Sequence, residues 1–184
     1  MAIKLRIDPT FEPADAFIGI ATNMQVTQMV HFINSKTSLN LIREDDLPVY
    51  SEKTDSIQTY KFFHCVDEDF RSTFSLLSNN NNEGLYLLPA QKQFGYFLVI
   101  YGAIPADKIK QLAAHIKSIS GVQLAADINQ EPGKIFGPIL QDLELHITDL
   151  KRVKAENEKR FMPPAEEQCK EKYLLPFNLP VSSF

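Results

Sequence analysis

Residues 94–101 read FGYFLVIY, and this stretch sets the strongest condition on how the chain folds. Successive residues of a strand point to opposite faces. Phe94, Tyr96, Leu98 and Ile100 therefore share one face, and Phe97, Val99 and Tyr101 share the other. A strand that is apolar on both faces has to be covered on both. Two amphipathic helices are available for one side. Val26, Met29, Val30 and Ile33 repeat at helical spacing, and so do Ile109, Leu112, Ala113 and Ile116. Pro105 suits the first position of the second helix, and Gly121 suits its stop. The other cover is expected from one of three sources. These are a last helix opened by Pro138 and running to about Arg160, the Pro-containing tail behind it, or a second protomer.

The remaining apolar stretches are short and separated by turn residues. Residues 2–7 alternate as a half-buried strand does. Residues 16–21 read as a strand or helix entry, with Thr22 or Asn23 as the following cap. Residues 39–42, 57–66, 70–77, 85–88 and 122–128 read as further strands. Residues 43–56 are polar, contain Pro48 and read as a loop or ragged edge. The asparagines at 79–82, followed by Gly84, read as a polar turn. Residues 89–93, PAQKQ, read as the bend of a hairpin between two buried strands. Strands joined by short turns pair antiparallel, because parallel pairing needs a long crossover. The expected fold is α+β: a mainly antiparallel sheet with two helices on one face, a long C-terminal helix and a Pro-containing tail. Residues 1–130 are expected to form the core domain and residues 131–184 the helix and tail.

Charge and composition narrow the function. A net charge of −4 lacks the basic footprint of a nucleic-acid binder. No stretch approaches the roughly 20 apolar residues of a membrane helix. The start, MAIKLRIDPTFEP, has no leader-like apolar run. Cys65 and Cys169 lie far apart and make no disulfide framework, which favours a reducing compartment. The expectation is a cytoplasmic protein with neither a nucleic-acid nor a membrane partner.

His64 and Cys65 are the most tempting chemical pair, since Cys and His build nucleophilic dyads and zinc sites. Adjacent strand residues point to opposite faces, so the two are expected to pack separately. His31, His115 and His146 fall on three separate helices. Glu44, Asp45 and Asp46, like Asp67, Glu68 and Asp69, read as solvated turn acids without the spacing of a calcium loop. The aromatic residues of neighbouring strands read as core. There is no phosphate-binding Gly-rich loop, nucleophile elbow, zinc-protease helix or dinucleotide fingerprint. No catalytic residue, metal ligand or cofactor is therefore assigned.

Residues 88–96, LPAQKQFGY, resemble the motif that names the IPExxxVDY family, uncharacterised proteins of Bacteroidetes. Leu88 stands at the Ile position, Pro89 at the Pro, Phe94 at the Val and Tyr96 at the Tyr. Ala90 and Gly95 stand where the family carries acidic residues. The similarity extends over residues 4–129, through FIGIATNMQVTQMVHFINSKTSLNLIREDDLPV, STFSLLSN and ISGVQLAADIN, and leaves the tail uncovered. It implies kinship and a fold, and it brings no established activity. With both acidic positions changed, the motif implies a structural hairpin here rather than a carboxylate mechanism.

Three functional readings follow. The first is a non-catalytic interaction or assembly module, a homodimer, meeting partners through the last helix (Leu143, Ile147, Leu150) or the tail. The second is a small-ligand-binding regulatory domain, which requires a pocket with convergent polar groups near Pro89, Phe94 and Tyr96. The third is an enzyme, which requires His64 beside Glu68 or Asp69 in one cleft.

Overall fold

The computed structural model of the chain describes residues 16–51, 54–67, 71–102, 104–128 and 132–161. The strand expected at residues 2–7 and the Pro-containing tail lie outside them. β1 (Ala16–Thr22) leads to α1 (Val26–Lys36), then β2 (Ile42–Arg43) and β3 (Leu47–Ser51). β4 (Ser56–Tyr60), β5 (Phe62–Asp67), β6 (Ser72–Ser78) and β7 (Tyr96–Tyr101) follow. α2 (Ala106–Lys117), β8 (Val122–Asp127) and α3 (Pro132–Phe161) complete the described chain. The fold is α+β, with a six-stranded sheet in the order β2-β5-β6-β7-β1-β8 and a separate β3-β4 pair. Every pairing is antiparallel.

The apolar strand of the sequence is central. β7 lies between β6 and β1, with Leu98 opposite both Leu76 and Ile18. One face carries Ile18, Ile20, Leu76, Tyr96, Leu98 and Ile100, packed against Val26, Met29, Val30 and Ile33 of α1 and Ile109 and Ile116 of α2. The two helices thus cover one face, as their periodicity requires. The other face carries Phe17, Phe62, Leu77, Phe97 and Val99, all buried. The start of α3 packs there: Ile139, Leu140 and Leu143 are buried, and the His146 ring meets the Phe62 ring edge-on at 5.4 Å. Of the three covers open in the sequence, this chain's own last helix occupies that face.

Several elements differ from expectation. Residues 57–66 are not one strand, because the chain leaves one sheet for the other at Lys61. There the Lys61 N–H donates to Ser78 Oγ at 3.0 Å and the Ser78 N–H to the Lys61 carbonyl at 3.0 Å. The polar residues 43–56 contain β3, whose Pro48 is tolerated in a two-stranded sheet that has only edges. Residues 85–88 form no strand, although Leu87 and Leu88 are buried. Their pairing is limited to one bridge between Asn80 and Tyr86. The PAQ of the insert forms a single 3-10 turn, Pro89–Gln91, so residues 79–95 are one long folded connection rather than a tight hairpin. α3 begins at Pro132, and Pro138 falls inside it. The chain divides into two compact units, Met1–His146 and Ile147–Phe184, with the boundary inside α3.

Candidate functional site

The connection 79–95 is built on Asn79, which is fully buried. Its amide nitrogen donates to the carbonyls of Gln91 at 3.0 Å and Phe94 at 2.8 Å. Its Oδ1 accepts the Leu88 N–H at 2.8 Å. Its backbone N–H donates to Gly95, and its carbonyl accepts from Leu87. Each of these partners is a backbone group that would otherwise lie unpaired in the loop, so one side chain fixes the path of the chain. Asn81 makes a local turn beside it, its Oδ1 accepting the N–H groups of Glu83 and Leu85. Gly84 there has φ +81°, the left-handed conformation expected of that turn glycine.

The loop ends at Gly95, whose N–H donates to the Ile20 carbonyl at 2.9 Å. A Cβ on this residue would stand 2.9 Å from the Thr22 carbonyl oxygen. Glycine at the position where the resembled family has an acid thus has a steric reason in this chain. Tyr96 follows; its hydroxyl donates to the Met24 carbonyl at 2.6 Å and ties β7 to the entry of α1. Burial pushes the Tyr96 phenol up from its ordinary value.

α1 is entered without a side-chain cap. Thr22 Oγ1 donates to the Gly121 carbonyl at 2.9 Å and accepts the Met24 N–H at 3.2 Å, which commits it to the β1–β8 junction. The N-cap position falls on Gln25, which makes no side-chain cap bond, rather than on Thr22 or Asn23. The first turn carries no acidic residue either. The helix thus brings no cap or acid of its own to the positive end of its dipole, where the first N–H groups lack an intrahelical partner.

These elements enclose a cleft of about 560 Å³, lined by the entry to α1, the end of the 79–95 connection, Lys61, Ser78 and Gln123. Its floor is the helix-side row of Ser78 and Tyr96, neighbours across β6 and β7. Its walls carry Asn23, Gln25, Asn80, Gln93 and Gln123, an amide-rich surface. Its charged groups among the described residues are Lys61 and Lys92, and no described His, Cys, Asp or Glu lines it. The Lys92 ammonium stands over the Tyr86 ring, 5.5 Å from the centroid. Phe94 is buried and reaches the cleft from below, with its ring 6.0 Å from that of Phe97.

Among the residues singled out in the sequence, the structure brings Phe94 and Tyr96 into this cleft. Pro89 starts the exposed 3-10 turn and does not line it. His64 lies on the α3-facing side of the sheet, its Nδ1 3.1 Å from Ser75 Oγ. Ser75 is fully buried and His64 is half-buried. Cys65 points to the opposite side and packs on the helix-side core, where burial raises its thiol pKa. Glu68 and Asp69, the acids sought beside His64, lie outside the described residues. Leu143 is core, while Ile147 and Leu150 are half-buried in the second unit. His146 Nε2 donates to the Asp45 carbonyl, 3.0 Å away. Among the described residues no group of three His, Cys, Asp or Glu stands ready for a metal, and no helix is long and apolar enough to cross a membrane.

A second cavity of about 430 Å³ opens at the other end of α1. Leu39, Phe74, Ile100, Ile104, Ile109 and Leu112 make it largely apolar, Asp67, Lys36 and Lys108 give it charges of both signs, and His115 also lines it.

No family model, curated protein or solved structure matches this chain.

Proposed function

We propose that the chain is a non-catalytic ligand-binding domain whose binding place is the cleft at the start of α1. The observation that carries this reading is the convergence of polar groups around a cavity of about 560 Å³ beside the 79–95 connection. Among the described residues the lining offers hydrogen-bonding amides and two lysines, and no carboxylate, imidazole or thiol for acid–base or nucleophilic work. The Tyr96 hydroxyl is already committed to the Met24 carbonyl. The buried Asn79 hub supports binding as well, because it holds the loop side of the cleft in one shape before a ligand arrives. A thermal-shift screen of polar metabolites against the full chain tests the reading. At least one compound raises Tm, and Gln93→Ala with Asn80→Ala lowers that shift; a screen with no shift contradicts it.

A second reading, an interaction or assembly module acting as a homodimer, rests on a different surface. Tyr50 and Ile57 are directly opposed across β3 and β4 and are 58% and 68% exposed. An exposed cross-strand apolar pair suits a protein partner. Sedimentation of the wild type and of Ile57→Lys tests it: a dimer that the substitution dissociates supports the reading, and a monomer at every concentration ends it. Kinship with the IPExxxVDY family is proposed on Pro89, Phe94 and Tyr96, and a cytoplasmic setting on the two unpaired-looking cysteine positions of the sequence.

A further inference from the structure

We infer that the ligand of the α1 cleft is a small polar organic oxyanion, with its charged group held between Lys61, Lys92 and the first turn of α1. The inference rests on the cleft being a ligand site at all, and four independent features give the ligand its charge. Lys61 and Lys92 both line the cavity, and among the described residues no acid does. Among the described residues neither lysine forms a salt bridge. The α1 N-terminus opens into the same space with no side-chain cap and no acidic residue in its first turn. The fourth feature is Ser78. It is 4% exposed, its Oγ accepts the Lys61 N–H, and its hydroxyl proton has no acceptor among the described residues. A buried hydroxyl with an unspent proton, in a cleft that two lysines also line, calls for an acceptor, and an anionic oxygen supplies it.

The rest of the lining says what the anion is attached to. Five amide side chains suit a hydroxylated or amide-bearing body rather than a hydrocarbon one. The volume exceeds what a free inorganic ion fills, so the anionic group is expected at one end of a larger polar molecule. The second cavity makes the contrast: its apolar wall and its Asp67 fit no such ligand. Phosphate and carboxylate share the required chemistry, and the test separates them.

Calorimetry on the full chain with ribose 5-phosphate, malate, inorganic phosphate and neutral ribose reads this out. Ribose 5-phosphate or malate is expected to bind, inorganic phosphate more weakly, and ribose not at all. The affinity falls as sodium chloride is raised. Lys61→Gln and Lys92→Gln, both away from the core, should each weaken binding about tenfold while leaving Tm unchanged. A phosphate preference or a carboxylate preference among the probes assigns the group. Equal binding of ribose and ribose 5-phosphate, unaffected by either substitution, overturns the anion inference and leaves the cleft reading standing. Anion binding that ignores both lysines but shifts the region around His115 overturns the two together.

Discussion

Tyr96 and Tyr101 stand at the two ends of β7, and burial raises the pKa of both phenols. Only one is satisfied. The Tyr96 hydroxyl donates to Met24, whereas the Tyr101 hydroxyl is buried without a hydrogen-bond partner and feels the Glu144 charge. The Tyr96 end is polar and closely tied: Asn79, Gly95, Ser78 and the uncapped start of α1 meet there around a cleft. The Tyr101 end is looser. Gly102 has φ +125° beside the Ser72 backbone, and the cavity nearest Ile100 is largely apolar. The two ends thus differ in how their polar groups are tied, and the proposed site lies at the end where polar side chains converge.

The contrast breaks most directly at Asn79. Asn79→Ala removes three side-chain bonds to buried backbone and should cost about 3 kcal/mol in urea unfolding. Hydrogen exchange should speed up through residues 85–95 first, and ligand binding should be lost with it. Gly95→Asp restores the acid of the resembled motif against the Thr22 carbonyl, and a cost of about 2 kcal/mol is expected by the same measurement. An unchanged stability would show that β1 gives way there.

Paired substitutions of the two tyrosines sharpen the comparison. Tyr96→Phe loses a made bond and should destabilise by about 1.5 kcal/mol. Tyr101→Phe removes an unmade one and should stabilise by about 1 kcal/mol. The pH dependence has a definite sign. Tyr101 has a raised folded pKa, so its contribution is intact below the unfolded value near 10 and is lost as pH rises beyond it. Tyr101→Phe should therefore flatten the alkaline decline in Tm. The smallest effects belong to Lys61→Gln and Lys92→Gln, within about 0.5 kcal/mol of wild type in the absence of ligand.

Much of the fold was legible because it depends on local period. Val26, Met29, Val30 and Ile33 announce α1 and are all buried, and FGYFLVIY announces a doubly covered central strand. The site was less legible. Phe94 and Tyr96 were found through their motif, but Asn79 looks in sequence like any residue of a solvated asparagine run. Its role comes from partners nine to fifteen residues away, which no periodicity reports. Lys61 lies inside an apparent strand in the sequence, and the switch between sheets there places it on the cleft that Lys92 also lines. One signal of the site does stand in the sequence: residues 22–28, TNMQVTQ, open a helix with no acid in its first turn. The misplaced strand at 85–88 has a simple cause, since buried leucines satisfy a strand pattern whether a ladder or a side-chain hub buries them.

The central claim is that the Tyr96 end of the sheet is the binding end. A titration of the isotope-labelled full chain with ribose 5-phosphate, followed by backbone amide resonances, tests it most directly. The account predicts saturable shifts at Thr22 to Thr27, at Ser78 and Asn80, and at Lys92 to Tyr96, with the α2 residues Leu112 and His115 unmoved. Shifts centred on Leu112 and His115, with the start of α1 silent, would contradict it.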